Sequence, residues 1–184
     1  MMAGLWVLVL IIQPLLIKRK QWRLHRQVGT MAHFIIALFF LSVVLLTHSQ
    51  QSIEKSFNPI GVFIPFKDLL VLTVAYFIAM KYRKEVRIHA RGMIATGIAF
   101  IEPALIRTIG TLFPSIGNHY LWTIAIIYTL LIILIFVGRK YKRGQWVFPL
   151  ILFLYICIHS IIIFRIPLGF FESLASWFVG LPLT

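Results

Sequence analysis

The sequence predicts an all-α fold, a polytopic transmembrane helical bundle of about six spans with a C-terminal interfacial helix. Three observations carry that expectation. Hydrophobic residues make up 60% of the 184 and charged residues 12%, with a mean hydropathy of +0.94. Soluble domains hold roughly 45–50% apolar and about 25% charged residues, so this chain has too few polar side chains to cover a surface in water. Its apolar residues come in runs of helix length, such as Leu130–Val137, and not in the period-two alternation of barrel strands. The 18 Lys and Arg against five Asp and Glu, a net charge of +13, stand in short runs between the apolar stretches. A water-soluble enzyme and a disordered chain are both excluded.

Taken in order, the expected spans are Gly4–Ile17, Met31–Thr47, Asp68–Met80, Gly92–Phe113, Tyr120–Val137 and Trp146–Phe164. Together they make residues 1–184 a single integral membrane domain. The first span has its charge after the apolar stretch (Lys18-Arg19-Lys20), the reverse of a cleaved signal peptide, and reads as an N-out anchor. The Met1-Met2 start leaves an upstream segment open. The third span is short and can extend upstream through Gly61–Lys67, with Pro65 near a helix start. Residues 166–181 place Phe170, Phe171, Leu174, Trp177 and Phe178 at helical spacing, the pattern of a helix lying in the membrane interface.

Topology follows from the cations. Lys18, Arg19, Lys20, Arg23 and Arg26 lie between the first two spans; Lys81, Arg83, Lys84, Arg87 and Arg91 between the third and fourth; Arg139, Lys140, Lys142 and Arg143 between the last two. Only Lys55, Lys67, Arg107 and Arg165 fall elsewhere. The positive-inside rule makes the three basic loops cytoplasmic and puts both termini outside, in a plasma (inner) membrane. The expected partners are the bilayer, anionic lipid headgroups at the cytoplasmic face, and a membrane-protein partner or a second copy of the chain. Nucleic acid is not needed to explain the charge.

Two loops enter their helices with similar text: Trp22-Arg23-Leu24-His25-Arg26 and Val86-Arg87-Ile88-His89-Ala90-Arg91, 64 residues apart. A parallel two-helix repeat and chance similarity between two basic juxtamembrane loops weigh about equally. His89-x-x-x-Met93 followed by Arg107, with His25-x-x-x-Gly29 opening an earlier helix, resembles a bacterial family of uncharacterised integral membrane proteins. The likeness covers spans two to four and departs from the family pattern at Gly92, where Trp is common, and at Thr96, where an Arg-Ser-Tyr string often begins. It implies multi-span helices and a His pair, with no established activity. A looser likeness to small b-type cytochromes implies haem b held by His25 and His89, with Arg26 and Arg91, or Arg23 and Arg87, near the propionates.

The remaining chemistry is intramembrane. Glu102 sits mid-span beside Pro103, which removes a backbone hydrogen bond. An ionised carboxylate there needs a partner or takes up a proton; His159 or His33 could answer it. Arg107 lies about 140° around the helix from Glu102 and about 27 Å above His89 on one face, so Asp68, Glu54 or Glu172 is its expected partner. His33 lies about 12 Å deeper than His25. His159, near the middle of the sixth span, could form a second pair or a proton path with it. His48 and His119 are expected in outer loops or helix ends, in contact with solvent. Cys157 is the one cysteine, so neither an internal disulfide nor a Cys-based metal site is expected. No phosphate-binding glycine loop, Gly-x-Ser-x-Gly or His-Glu-x-x-His string occurs. No catalytic residue and no metal site follow from the sequence. Three functions remain: a haem-linked protein or accessory subunit of a respiratory complex, an assembly subunit without chemistry, and a small transporter using the Glu102 carboxylate.

Overall fold

The structure is a computed structural model that describes residues 2–53, 58–167 and 169–183. Glu54 and Lys55, two charges that the sequence reading expects on the outer side, lie outside the described residues. Seven α-helices and one 3-10 turn make up the described secondary structure, with no strand. The helices are α1 (Met2–Lys18), α2 (Trp22–Ile53), α3 (Pro59–Lys81), α4 (Val86–Leu112), α5 (His119–Gly138), α6 (Val147–Ile163) and α7 (Gly169–Val179). The all-α, membrane-like class is as expected.

Four helices, α2 to α5, are long and apolar enough to cross a bilayer, whereas α1 and α6 are shorter apolar helices. Their outward surfaces are apolar as well: Phe34 is 69% exposed, Phe77 61% and Phe153 64%. In water such faces would be aggregation surfaces; against lipid they are the expected exterior.

Two boundaries differ from the sequence expectation. Helix α2 continues past Thr47 to Ile53, and α3 begins at Pro59 instead of Asp68. Polar His48, Gln50 and Gln51 look like loop residues by hydropathy, yet nothing in them breaks a helix. Pro59, at the first helical position, needs no backbone N–H partner. Asn58 Oδ1 accepts from the amides of Ile60 and Gly61 at 3.1 and 3.2 Å, capping the start of α3.

The chain divides into two compact units. One comprises residues 1–69 and 161–184. Within it α1 and α2 pack as a hairpin, and Gln13 Nε2 donates to the His25 carbonyl at 3.2 Å. Trp6 and Val9 are buried on the same stripe of α1 as Gln13. At the other end of α2, Val62, Ala175 and Phe178 form a core onto which Val44, Phe66 and Phe171 pack. Phe178 meets the rings of His48 and Phe66 edge-on at 5.4 and 5.3 Å. His48, expected in solvent, is 1% exposed: the longer α2 carries it under α7.

The second unit is residues 70–160. The end of α3 and the start of α4 form a hairpin so close that a Cβ at Gly92 would lie 2.8 Å from the Ala79 backbone nitrogen. Small residues permit this approach, as in other packed membrane helices. Helix α4 buries Arg91, Ala95, Ile98 and Glu102 along one stripe, the i, i+4, i+7, i+11 pattern of a face turned inward. Helix α5 buries Thr123, Ile124, Ile127 and Leu131, and α6 buries Val147, Ile151, Tyr155, Ile158 and His159.

Candidate functional site: a buried carboxylate, imidazole and phenol

Glu102 and His159 are brought together inside the second unit. His159 Nε2 lies 3.3 Å from Glu102 Oε1, with the two residues 1% and 3% exposed. The other ring nitrogen, Nδ1, lies 3.1 Å from the Tyr128 hydroxyl. Each position is set by a helical stripe. Glu102 closes the inward face of α4, His159 stands one turn beyond Tyr155 on α6, and Tyr128 lies one turn beyond Ile124 on α5.

The hydrogen-bond inventory allows two proton arrangements in this chain. With a neutral imidazole, the Tyr128 hydroxyl donates to Nδ1 and the Nε2–H donates to the Glu102 carboxylate. With one more proton, Nδ1–H donates to the phenol oxygen, and the proton between Nε2 and Oε1 is held either as imidazolium with carboxylate or as neutral imidazole with carboxylic acid. The two arrangements differ by one proton and need no change of partner. At 3.3 Å the imidazole–carboxylate contact is longer than the roughly 2.7–2.9 Å of a tight charge-assisted bond, leaving room to contract when the charge changes.

Aromatic rings wall the imidazole. Tyr128 stacks at 5.6 Å and 26°, Tyr155 at 5.3 Å and 37°, and Tyr120 stands edge-on at 5.7 Å and 80°. Their faces are attractive to a cation, so the surroundings tolerate the protonated ring. Pro103, next to Glu102, lacks the N–H that would serve the Ala99 carbonyl one turn back on the same face.

The other sequence candidates have surroundings of their own. His159 lies near the end of α6, with four residues of the helix after it, and not near its middle. Arg107 is exposed, away from the buried pair. His33 Nδ1 donates to the Gly29 carbonyl of its own helix at 2.7 Å. Asp68 pairs with Lys67 at 2.6 Å. His119 Nε2 lies 3.2 Å from the Phe113 carbonyl.

The expected haem pair belongs to different units, and each member has its own surroundings. His89 Nδ1 donates to the Ala79 carbonyl at 2.9 Å. His25 is half-buried, and its Nδ1 has no partner among the described residues. Arg26 is exposed. Arg91 is 7% exposed and donates to the carbonyls of Gly138, Arg143 and Tyr141 at 2.7, 3.0 and 3.3 Å. A guanidinium at the end of α5 meets both the leftover carbonyls and the negative end of the helix dipole. Arg87 lies 4.6 Å from the centre of the Tyr141 ring.

Tyr128, Tyr120 and Tyr155 were not legible as site residues. Tyr155 precedes His159 by one turn in the sequence, a usable signal on one helix, but partners on α5 appear only once the helices pack. Among the described residues no cluster of three or more His, Cys, Asp or Glu is placed to hold a metal ion. Comparison with protein-family models, with curated proteins and with solved structures finds no match to this chain. Function is therefore argued from the site.

Proposed function

We propose that this is a multi-span membrane protein that exchanges protons at Glu102, His159 and Tyr128, as the proton-coupling element of a small transporter. The observation that carries the reading is the 3.3 Å contact between two buried titratable groups, His159 and Glu102. Ionisable residues inside apolar spans mark ion and proton paths by default. A carboxylate hydrogen-bonded to an imidazole, itself bonded to a phenol, can gain or lose a proton with every hydrogen bond kept, and the gained proton neutralises the buried charge of the carboxylate. Pro103 beside the carboxylate lies inside the continuous helix α4 and leaves the Ala99 carbonyl without its usual N–H partner close to the site.

The topology belongs to the same proposal. All six apolar helices α1 to α6 cross the bilayer, the three basic loops face the cytoplasm and α7 lies in the outer interface. Helices α1 and α6 have 17 residues each, about 25 Å of rise against roughly 30 Å of hydrocarbon. Snorkelling of Lys18 and interfacial Trp146 make up the difference.

The test is proton flux into proteoliposomes that carry a pH-sensitive dye and an imposed gradient. Wild type should move protons, Glu102→Gln and His159→Gln should not, and the exposed Arg143→Gln should resemble wild type. Wild-type vesicles no leakier than empty ones across a panel of solutes, or an active Glu102→Gln, would overturn the reading. Loss of stability without change in flux would leave the assembly role.

A second reading, haem b on His25 and His89, is favoured by the His89–Ala79 bond. An imidazole whose Nδ1–H is committed to a carbonyl presents its Nε2 lone pair, as ligating histidines do. With Arg91 engaged by three carbonyls, Arg26, Arg23 and Arg87 are the cations left for propionates. A Soret band that shifts on dithionite reduction and vanishes in His25→Ala or His89→Ala supports this; a featureless spectrum after expression with ample haem excludes it.

A further inference from the structure

A second place in the molecule has the chemistry of a ligand site. In the first unit, the start of α3, the end of α6 and α7 enclose a cavity of about 390 Å³, within the roughly 300–1,000 Å³ range of small-molecule sites. Its lining is divided. Phe63, Ile161 and Phe171 supply apolar surface, while Asn58, Arg165 and Glu172 supply polar groups. Phe63 and Phe171 lock edge to face at 5.1 Å, forming a fixed wall.

The two charged groups decide what the cavity suits. Arg165 and Glu172 have opposite sign and line one opening, yet no ion pair joins them or engages either one among the described residues. Two opposite charges on one rim, held apart, match a ligand that carries both charges itself. Arg165 presents a planar fork suited to a phosphodiester, and Glu172 can accept hydrogen bonds from a primary ammonium. The apolar wall suits the glycerol and first methylenes of a chain. On α7, Phe170 is 81% exposed and Trp177 64% exposed, the aromatic anchoring of a helix at headgroup level.

We infer that this cavity binds the headgroup of a zwitterionic phospholipid of the phosphatidylethanolamine type, with phosphate on Arg165 and ammonium on Glu172. The inference rests on the membrane reading and is independent of the proton site. A phosphatidylglycerol lacks the ammonium. A phosphatidylcholine has no N–H to give Glu172.

The experiment is native mass spectrometry of the full chain, delipidated in detergent and titrated with phosphatidylethanolamine, phosphatidylcholine, phosphatidylglycerol or free phosphoethanolamine. Phosphatidylethanolamine should be retained preferentially, and free phosphoethanolamine should bind far more weakly because it lacks the chains. Arg165→Gln and Glu172→Gln should each lower retention of phosphatidylethanolamine by up to about fivefold, the size of one exposed charge contact; Arg165→Gln should weaken all three lipids alike, and Glu172→Gln should abolish the preference over the other two. Equal retention of all three lipids by wild type, which needs no variant, would overturn the inference. So would a Glu172→Gln variant that elutes as wild type does in gel filtration and keeps the selectivity. Glu102→Gln should leave lipid retention unchanged, so failure here and failure of the proton reading are separable.

Discussion

Arg91 and Glu102 stand on one face of α4, eleven residues apart, which is about 20° around the helix and about 16 Å along it. Both are buried and both carry groups that ionise in water. The arginine is surrounded by backbone carbonyls of Gly138, Tyr141 and Arg143, which cannot change their protonation. The glutamate faces His159, which can, and behind it Tyr128. Burial alone does not distinguish a structural charge from a working one; the chemistry of the partners does. Arg91 meets the carbonyls at the end of α5, whereas the contacts of Glu102 are compatible with more than one proton arrangement.

The largest loss of stability is expected at Arg91. Arg91→Ala strips three carbonyls of their donors and should cost about 3–5 kcal/mol, read as a fall in the thermal midpoint in detergent. Gly92→Leu, one residue on, pushes a side chain into Ala79 of α3 and should cost about 1–3 kcal/mol by the same measurement. The Glu102 site should respond less in stability and more in chemistry. Tyr128→Phe removes one hydroxyl and should cost about 1 kcal/mol, while slowing proton flux in the vesicle assay. The smallest effect is expected at the exposed Glu85–Arg143 pair, 3.2 Å apart. There Arg143→Gln should change stability by less than about 1 kcal/mol, and salt should erase even that.

Much of this division could be read from the sequence, and some could not. Glu102 stood out because a carboxylate beside a proline inside an apolar run is costly anywhere but a bundle interior, and His159 was one of two partners named for it. Arg91 reads in the sequence as one more cation of interchangeable basic loops; its stripe position, shared with Glu102, is the signal of its burial. The tyrosines were missed because an aromatic in an apolar span has no sequence mark that separates lining from core. The ends of α2 and α3 were misplaced for a related reason. Hydropathy falls near His48, but hydropathy does not stop a helix, and the cap at Asn58 with Pro59 sets the start of α3.

On the proposed reading, Glu102 and His159 share a proton that can be exchanged. Infrared difference spectroscopy across a pH titration reads this directly from the carbonyl stretch of a protonated carboxylic acid. A pH-dependent band that is absent in Glu102→Gln, and displaced both in His159→Gln and in Tyr128→Phe, is the predicted result. A Glu102 carboxyl that keeps one protonation state throughout the titration, indifferent to the loss of His159, would contradict it.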